Sequence, residues 1–285
     1  MRHPRSLRWQ QLLALLAIAT ALLSLSTRLT EPAAHIAPAY AQQDVTAILD
    51  KPLRTEADYA LLLRQTGLGR PAIDQWLAAP SGRQAILDCQ RYYFAPVRYI
   101  CTPNSPISRE EAVINSQGQY AAATLLAPIQ DGDILITSAS HTFGWRNGHA
   151  ALIVDAANGT TLESVVLGQN SSLQSVSKWT AYPNFLLLRP RDIPADQRAQ
   201  IAQWAKAHLL DVPYDFTTGI LSAKLPTDDI TGTQCAHLVW TAYAHFGYDL
   251  DANGGPLVLP RDIAASPLLE IVQCYGREMA SGWPR

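Results

Sequence analysis

The chain has 285 residues, 48% of them hydrophobic and 16% charged. That is the composition of a folding globular chain and excludes a disordered one. A formal net charge of −2 provides no basic field for a polyanion, so nucleic acid is excluded as an expected partner.

The first forty residues read as an export signal. Arg2, Arg5 and Arg8 form a positive start, and Leu12 to Leu25 is an apolar run. At roughly 14 residues the run suits a signal and falls short of the ~20 needed to span a bilayer. Ala39 and Ala41 place small residues at the two positions a signal peptidase reads, so the expected cut follows Ala41. The stretch from 26 to 41 is long for that purpose, and an uncleaved anchor is the alternative. Removing residues 1–41 takes four of the 22 basic and one of the 24 acidic residues, leaving a net charge of −5. The expected product is a secreted or extracytoplasmic protein with no membrane span. Four cysteines are too few for a disulfide-built scaffold in a chain this long. Cys89 and Cys101 could close a small loop in an oxidising compartment, or be two buried thiols.

From 42 to about 125 the pattern is helical. Thr55 suits a helix cap, with Gly67 as the stop, and Pro71 opens a second segment. Ser81 to Gln84 and Ser108 to Glu111 both have capping-box spacing. From about 126 to 285 the character changes to a second region of strands and helices. Strands are expected at Gly132–Thr137, His149–Asp155, Thr160–Val166 and Asn184–Leu188, with Asn158-Gly159 as a hairpin turn. Helices are expected from Pro194 to Leu209 and from Cys235 to Phe246, ended by Gly247. Strands grouped together with helices outside them indicate an α+β fold.

Cys235 stands where a turn-rich stretch, Asp228 to Gln234, enters a helix. Free N–H groups and the dipole at a helix start favour a thiolate and can hold a developing oxyanion. Around it, Gly132-Asp-Ile, Gly148-His149-Ala-Ala-Leu-Ile-Val, Leu162-Glu163, Pro213-Tyr214-Asp215 and Gln234-Cys235-Ala-His-Leu-Val-Trp240 occur in that order. This pattern, over residues 126–270, resembles the circularly permuted papain-like proteins of the YiiX-like branch, related to the NlpC-type cell-wall peptidases. The resemblance implies a small antiparallel sheet with flanking helices, Cys235 as nucleophile, His149 as base and Glu163 as orienting acid. It also implies that Tyr214 lines the site. His237 stands where the family often has an acid, and packing is its expected role.

Hairpin geometry raises an alternative for the orienting group. A two-residue turn at Asn158-Gly159 pairs His149 with Gly168 and Glu163 with Val154, which turns Glu163 to the opposite face. A three-residue loop with a bulge restores the face. Gln169 or Asn170 near the open end of the hairpin are the other candidates. Trp145, in the Gly-flanked loop before His149, is placed to grip substrate or to decorate the surface. His141, His208 and His245 lack metal-ligand spacing with the cysteines, so no zinc site and no cofactor are expected.

The implied reaction is acyl transfer by an exported cysteine hydrolase. The expected substrate is a small-molecule, peptide or acyl compound of the cell envelope, with peptide-type amides first. A lipid acyl hydrolase or transferase on the same fold is the second reading, which a wide apolar groove beside Cys235 would favour. A binding module without activity is the third, marked by a Cys235–His149 separation beyond hydrogen-bond reach.

Overall fold

The computed structural model of the protein describes residues 9–15, 18, 22, 25, 31, 33–225 and 230–277. The positive start of the expected signal, half of its apolar run, and Asp228 before Cys235 lie outside them. Among the described residues no helix is long and apolar enough to cross a membrane.

Residues 9–15 are helical, and from residue 46 the chain forms helices α1 (Thr46–Leu49), α2 (Glu56–Thr66), α3 (Arg70–Leu77) and α4 (Gly82–Phe94). Thr55 caps α2 in a reciprocal box with Asp58, and Gly67 ends it in the left-handed region, as the turn chemistry of both residues dictates. Ser81 takes the N-cap position of α4 without a side-chain hydrogen bond. The helical expectation for 42–125 stops at Phe94. Arg98–Pro103 (β1) and Ser108–Ile114 (β2) pair antiparallel, and β2 goes on to pair with β4 (Ser140–Thr142). Ser108–Glu111 is therefore the start of a strand and not a capping box. The segment holds Tyr99, Ile100, Val113 and Ile114, which favour extended backbone, and Glu111 N–H finds the Ala139 carbonyl at 2.8 Å.

The main sheet has the order β7-β6-β5-β3-β8-β9, with every neighbouring pair antiparallel. Its strands are β3 (Ile134–Thr137), β5 (His149–Asp155), β6 (Thr160–Glu163), β7 (Ser172–Ser175), β8 (Phe185–Pro190) and β9 (Leu269–Tyr275). Helices α5 (Ala195–His208), α6 (Cys235–Ala244) and α7 (Pro260–Ala264) complete an α+β architecture.

Both faces of this sheet are buried, and the two-residue period of a strand decides which side chain meets which layer. Ile134, Ile136, Ala150, Leu152 and Val154 join α5 and α6 in one core. Leu135, Ala151, Ile153 and Leu187 join α2–α4 in the other. Each fully buried Leu or Ile contributes about 1.5–3 kcal/mol. Gly132, just before β3, takes φ +82°, and a Cβ there would stand 2.8 Å from Arg198 Cβ on α5. The next residue, Asp133, is clamped by Arg189 of β8 through two hydrogen bonds of 2.8 and 2.7 Å. The Gly-Asp-Ile motif is thus a packing and pairing device.

Residues 33–41, upstream of the expected cut, are built into the domain. The Asn184 amide donates to the Ala34 carbonyl at 2.7 Å, Ala34 N–H donates to the Tyr99 hydroxyl at 3.1 Å, and Ile36 N–H donates to the Gly276 carbonyl at 3.0 Å.

Candidate active site

Cys235 is the first residue of α6 and is buried. Gln234 caps the helix with its side chain. Its Oε1 accepts from Ala236 N–H at 2.9 Å and lies 3.5 Å from Cys235 Sγ, while its Nε2 donates to the Val258 carbonyl at 2.6 Å. With the second N–H taken by this cap, the N–H of Cys235 itself is the helix-start donor beside the thiol. The approach to the helix runs alongside residues 213–215. Thr233 N–H donates to the Pro213 carbonyl at 3.0 Å and Asp215 N–H to the Thr233 carbonyl at 2.8 Å. That pairing brings Tyr214 close to the thiol, and burial together with Cys235 raises the Tyr214 hydroxyl well above the usual phenol range.

His149 opens β5, directly after Gly148, whose φ of +78° turns the chain into the strand at no steric cost. On one side the ring neighbours the Cys235 thiol, which raises its pKa. On the other, Nε2–H donates to Glu163 Oε2 at 2.6 Å. The nitrogen left for Cys235 is Nδ1. The ring also stacks on Trp179, with centroids 5.7 Å apart and planes at 15°.

Glu163, the last residue of β6, is fully buried and collects every donor in reach. Oε1 accepts from the Thr161 hydroxyl at 2.5 Å and from Trp179 Nε1–H at 3.1 Å. Oε2 is also 2.6 Å from Lys178 Nζ. Burial alone would raise this carboxyl, but the bond from His149 and the nearby charges of His149 and Lys178 outweigh it and hold it down at about 2. Burial alone would lower His149, but its bonds to Cys235 and Glu163 outweigh that and hold the imidazole up at about 9. The pair is an ionised carboxylate beside a protonated imidazole, with the thiol on the far side of the ring.

The structure brings Cys235, His149, Glu163 and Tyr214 together. Gln169 and Asn170, the alternative partners for His149, are exposed, and the Asn170 amide donates to Asp211 Oδ1 at 2.8 Å. Trp145 stands 55% exposed in the turn between β4 and β5, which its backbone closes against Thr142. His237 is buried on α6, 2.9 Å from the Thr233 hydroxyl and 2.7 Å from the Lys224 carbonyl, as packing requires. Lys178, Trp179 and Thr161 are contributors that sequence reasoning missed. Thr161 shares Glu163's face at a spacing of two and was open to inference. Lys178 and Trp179 sit on a short 3₁₀ turn, Val176–Ala181, which carries no motif.

Two expectations about sulfur change. Cys89 and Cys101 form no disulfide: Cys89 is buried, its thiol pushed up to about 12 by burial, and Cys101 is exposed on β1. The separation of His141 from the cysteines is also corrected. Ligand atoms of Cys101, Glu111 and His141 lie within 4.8 Å of one another, because neighbouring strands of the smaller sheet bring together what the sequence spaces apart.

No family model matches the sequence, and no curated protein matches it. Among solved structures the chain is similar to the crystal structure of metalloprotein yiiX from Escherichia coli O157:H7, DUF1105. The similarity is weak, with 14% identity and a TM-score of 0.39 over 53% of this chain and 99% of that one.

Proposed function

We propose that the protein is a cysteine hydrolase with a permuted papain-like catalytic domain, exported and acting by acyl transfer. The observation that carries this reading is the Cys235 thiol at a helix start, close enough to raise the pKa of a His149 that Glu163 holds at 2.6 Å. The Cys235 proton resides on Nδ1 of His149, and attack on a carbonyl carbon starts from the sulfur of this imidazolium–thiolate pair. The Cys235 N–H, at the positive end of α6, faces the oxyanion that forms. Protonated His149 then delivers its proton to the leaving group, releasing it from the acyl-enzyme. Water activated by the same imidazole hydrolyses the thioester. Glu163 acts through His149: it holds the ring in one orientation and stabilises the imidazolium.

The substrate class is peptide-type amide, with envelope peptides as first candidates. A lipid acyl substrate is the second reading, and one observation favours it. Tyr214 contacts Phe216 at 4.9 Å, Phe216 lies 6.0 Å from Phe143, and Phe143, Ile220 and Leu221 are exposed. An apolar path therefore leads outward from the neighbourhood of the thiol.

The test incubates purified protein separately with peptidoglycan fragments and with phospholipid vesicles, using Cys235→Ala as control. Cys235-dependent release of peptide fragments supports the amide reading. Release of fatty acid without peptide fragments replaces it with the acyl one, and no Cys235-dependent product from either overturns the hydrolase reading on these substrates.

A further inference from the structure

Away from Cys235, the smaller sheet gathers a second set of reactive side chains. Cys101 of β1 and Glu111 of β2 are direct cross-strand partners, and Arg109, two residues before Glu111, pairs with His141 of β4. A strand shows alternate residues on one face, so Cys101, Glu111 and His141 form a row across three strands. Their ligand atoms lie within 4.8 Å of one another, at a cavity of about 590 Å³ that Glu31 and Arg146 also line.

We propose that Cys101, Glu111 and His141 form a binding site for a zinc-class divalent cation, with Glu31 supporting the histidine. The donor set is one sulfur, one imidazole nitrogen and one carboxylate oxygen, which is the ligand chemistry of zinc. An independent observation points to a missing ligand. His141 Nδ1 and Glu111 Oε2 are buried and have no hydrogen-bond partner among the described residues, and such atoms are normally paired or bound to an ion or water. His141 Nε2 is 3.1 Å from Glu31 Oε2, the carboxylate–histidine contact that orients a metal-bound imidazole through its other nitrogen.

The charges agree with a dication. Arg146 already holds Glu111 Oε1 at 2.8 Å, and Arg109 shares the cavity. Against these two cations stand Glu31, Glu111 and the Cys101 thiolate that binding would create, its proton passing to solvent. Donors around a tetrahedral zinc ion stand roughly 3.3–3.7 Å apart, so side-chain closure of about 1 Å brings the three protein donors into range, with solvent as the fourth ligand. Such a site would pin β1 and β2 to β4, the strand that leads through the 143–148 turn to His149. This proposal does not depend on the hydrolase reading.

The experiment uses full-length, metal-stripped protein carrying Cys235→Ala, so that the Cys235 thiol cannot contribute. Titration with Zn²⁺ alone should saturate at one equivalent and raise Tm, and Zn²⁺ should protect Cys101 from iodoacetamide. Co²⁺ should produce a thiolate-to-metal absorption band that Cys101→Ser abolishes. Cys101→Ser, a near-isosteric change at an exposed position, and Glu111→Gln should each weaken Zn²⁺ binding about tenfold or more. Absence of saturable binding up to about 1 mM Zn²⁺ overturns the proposal. So does binding of unchanged affinity in Cys101→Ser.

Discussion

His149 and Glu163 meet at 2.6 Å because β5 carries one residue more than its partner. Ile153 pairs with Thr161, yet Asp155 pairs with Thr160, leaving Val154 as the extra residue of a bulge. Beyond the bulge, Leu152 pairs with Leu162, which sets Glu163 opposite Ala151 and on the face that His149 shares two residues away. A ladder continued from Asp155–Thr160 without the bulge would set Glu163 opposite Leu152 and turn it to the other core.

That pairing has a pH signature. His149 is held up at about 9 and Glu163 down at about 2. The His149 contribution to stability is full below its unfolded value near 6.5 and is lost as pH rises through 9. The Glu163 contribution is full above its unfolded value near 4.5 and is lost as pH falls through 2. Both are therefore at strength between pH 4.5 and 6.5. Glu163→Gln should cost most stability in that window, with a smaller deficit near pH 9, as denaturant unfolding across pH will show. The same variant should lower kcat on the order of 10²-fold and move the alkaline limb of kcat/KM to lower pH, since the imidazolium loses its carboxylate. A limb that stays in place removes Glu163 from its positioning role.

Thiol reactivity separates the four cysteines. Burial pushes Cys89 and Cys274 up to about 12, so both should alkylate slowly at neutral pH. Cys101 is exposed and would compete, so the measurement belongs in a Cys101→Ser background. There Cys235 should be the residue iodoacetamide modifies first, and His149→Ala should slow that reaction about tenfold or more. Labelling of Cys235 at an unchanged rate in His149→Ala would show that the imidazole does not activate the thiol.

Much of this site was legible because it rests on local signals. The Thr55 cap, the apolar run of β5 and the helix start at Cys235 each follow from residue types within one element. The 86 positions between His149 and Cys235 were spanned only through the family resemblance. What stayed hidden depends on pairing between distant segments. The bulge at Val154 has no glycine or proline to announce it, so a regular turn at Asn158-Gly159 was the simpler reading. Strands β1 and β2 were read as helix because the Ser108–Glu111 spacing matches a cap equally well, and the choice is made by the Ala139 carbonyl that receives Glu111 N–H. The Cys101–Glu111–His141 row was invisible for the same reason.

The apolar path outward from Tyr214 offers a test of substrate grip separate from chemistry. Phe143 is held at φ +53°, in the region a bulky residue enters at a cost, which places its exposed ring against Phe216. If that edge binds substrate, Phe143→Ser should raise KM about threefold to tenfold, the worth of one apolar contact, and leave kcat unchanged. Steady-state kinetics on the substrate found for the wild type decides this. A fall in kcat with KM unchanged would instead place Phe143 in the support of the catalytic geometry.

The position of the N-terminal cut can be argued from packing. A cut after Ala41 would remove Ala34, His35, Ile36 and Tyr40 from the folded domain. Tyr40 packs against Phe94 with ring centroids 5.8 Å apart and lies under the Arg64 guanidinium at 4.3 Å. His35 Nδ1 is 2.7 Å from the Pro183 carbonyl. Asn184 would lose the Ala34 carbonyl that its amide donates to, while its Oδ1 still accepts from Ser138 N–H at 2.8 Å. Leaving that buried amide unpaired costs about 1–3 kcal/mol, before the lost burial of Ala34 and the Tyr40 contacts. Ser24 and Ser26 offer another pair of small residues at the end of the apolar run, and a cut there keeps the whole packed segment. N-terminal sequencing of exported protein should therefore find a first residue upstream of Ala33. A chain begun at Gln42 should melt several degrees below one begun at Thr27, since a loss of 1 kcal/mol moves Tm by about 2–4 °C at this size. Exported protein starting at Gln42, with a Tm equal to that of the longer chain, would show that the segment contributes nothing to the fold.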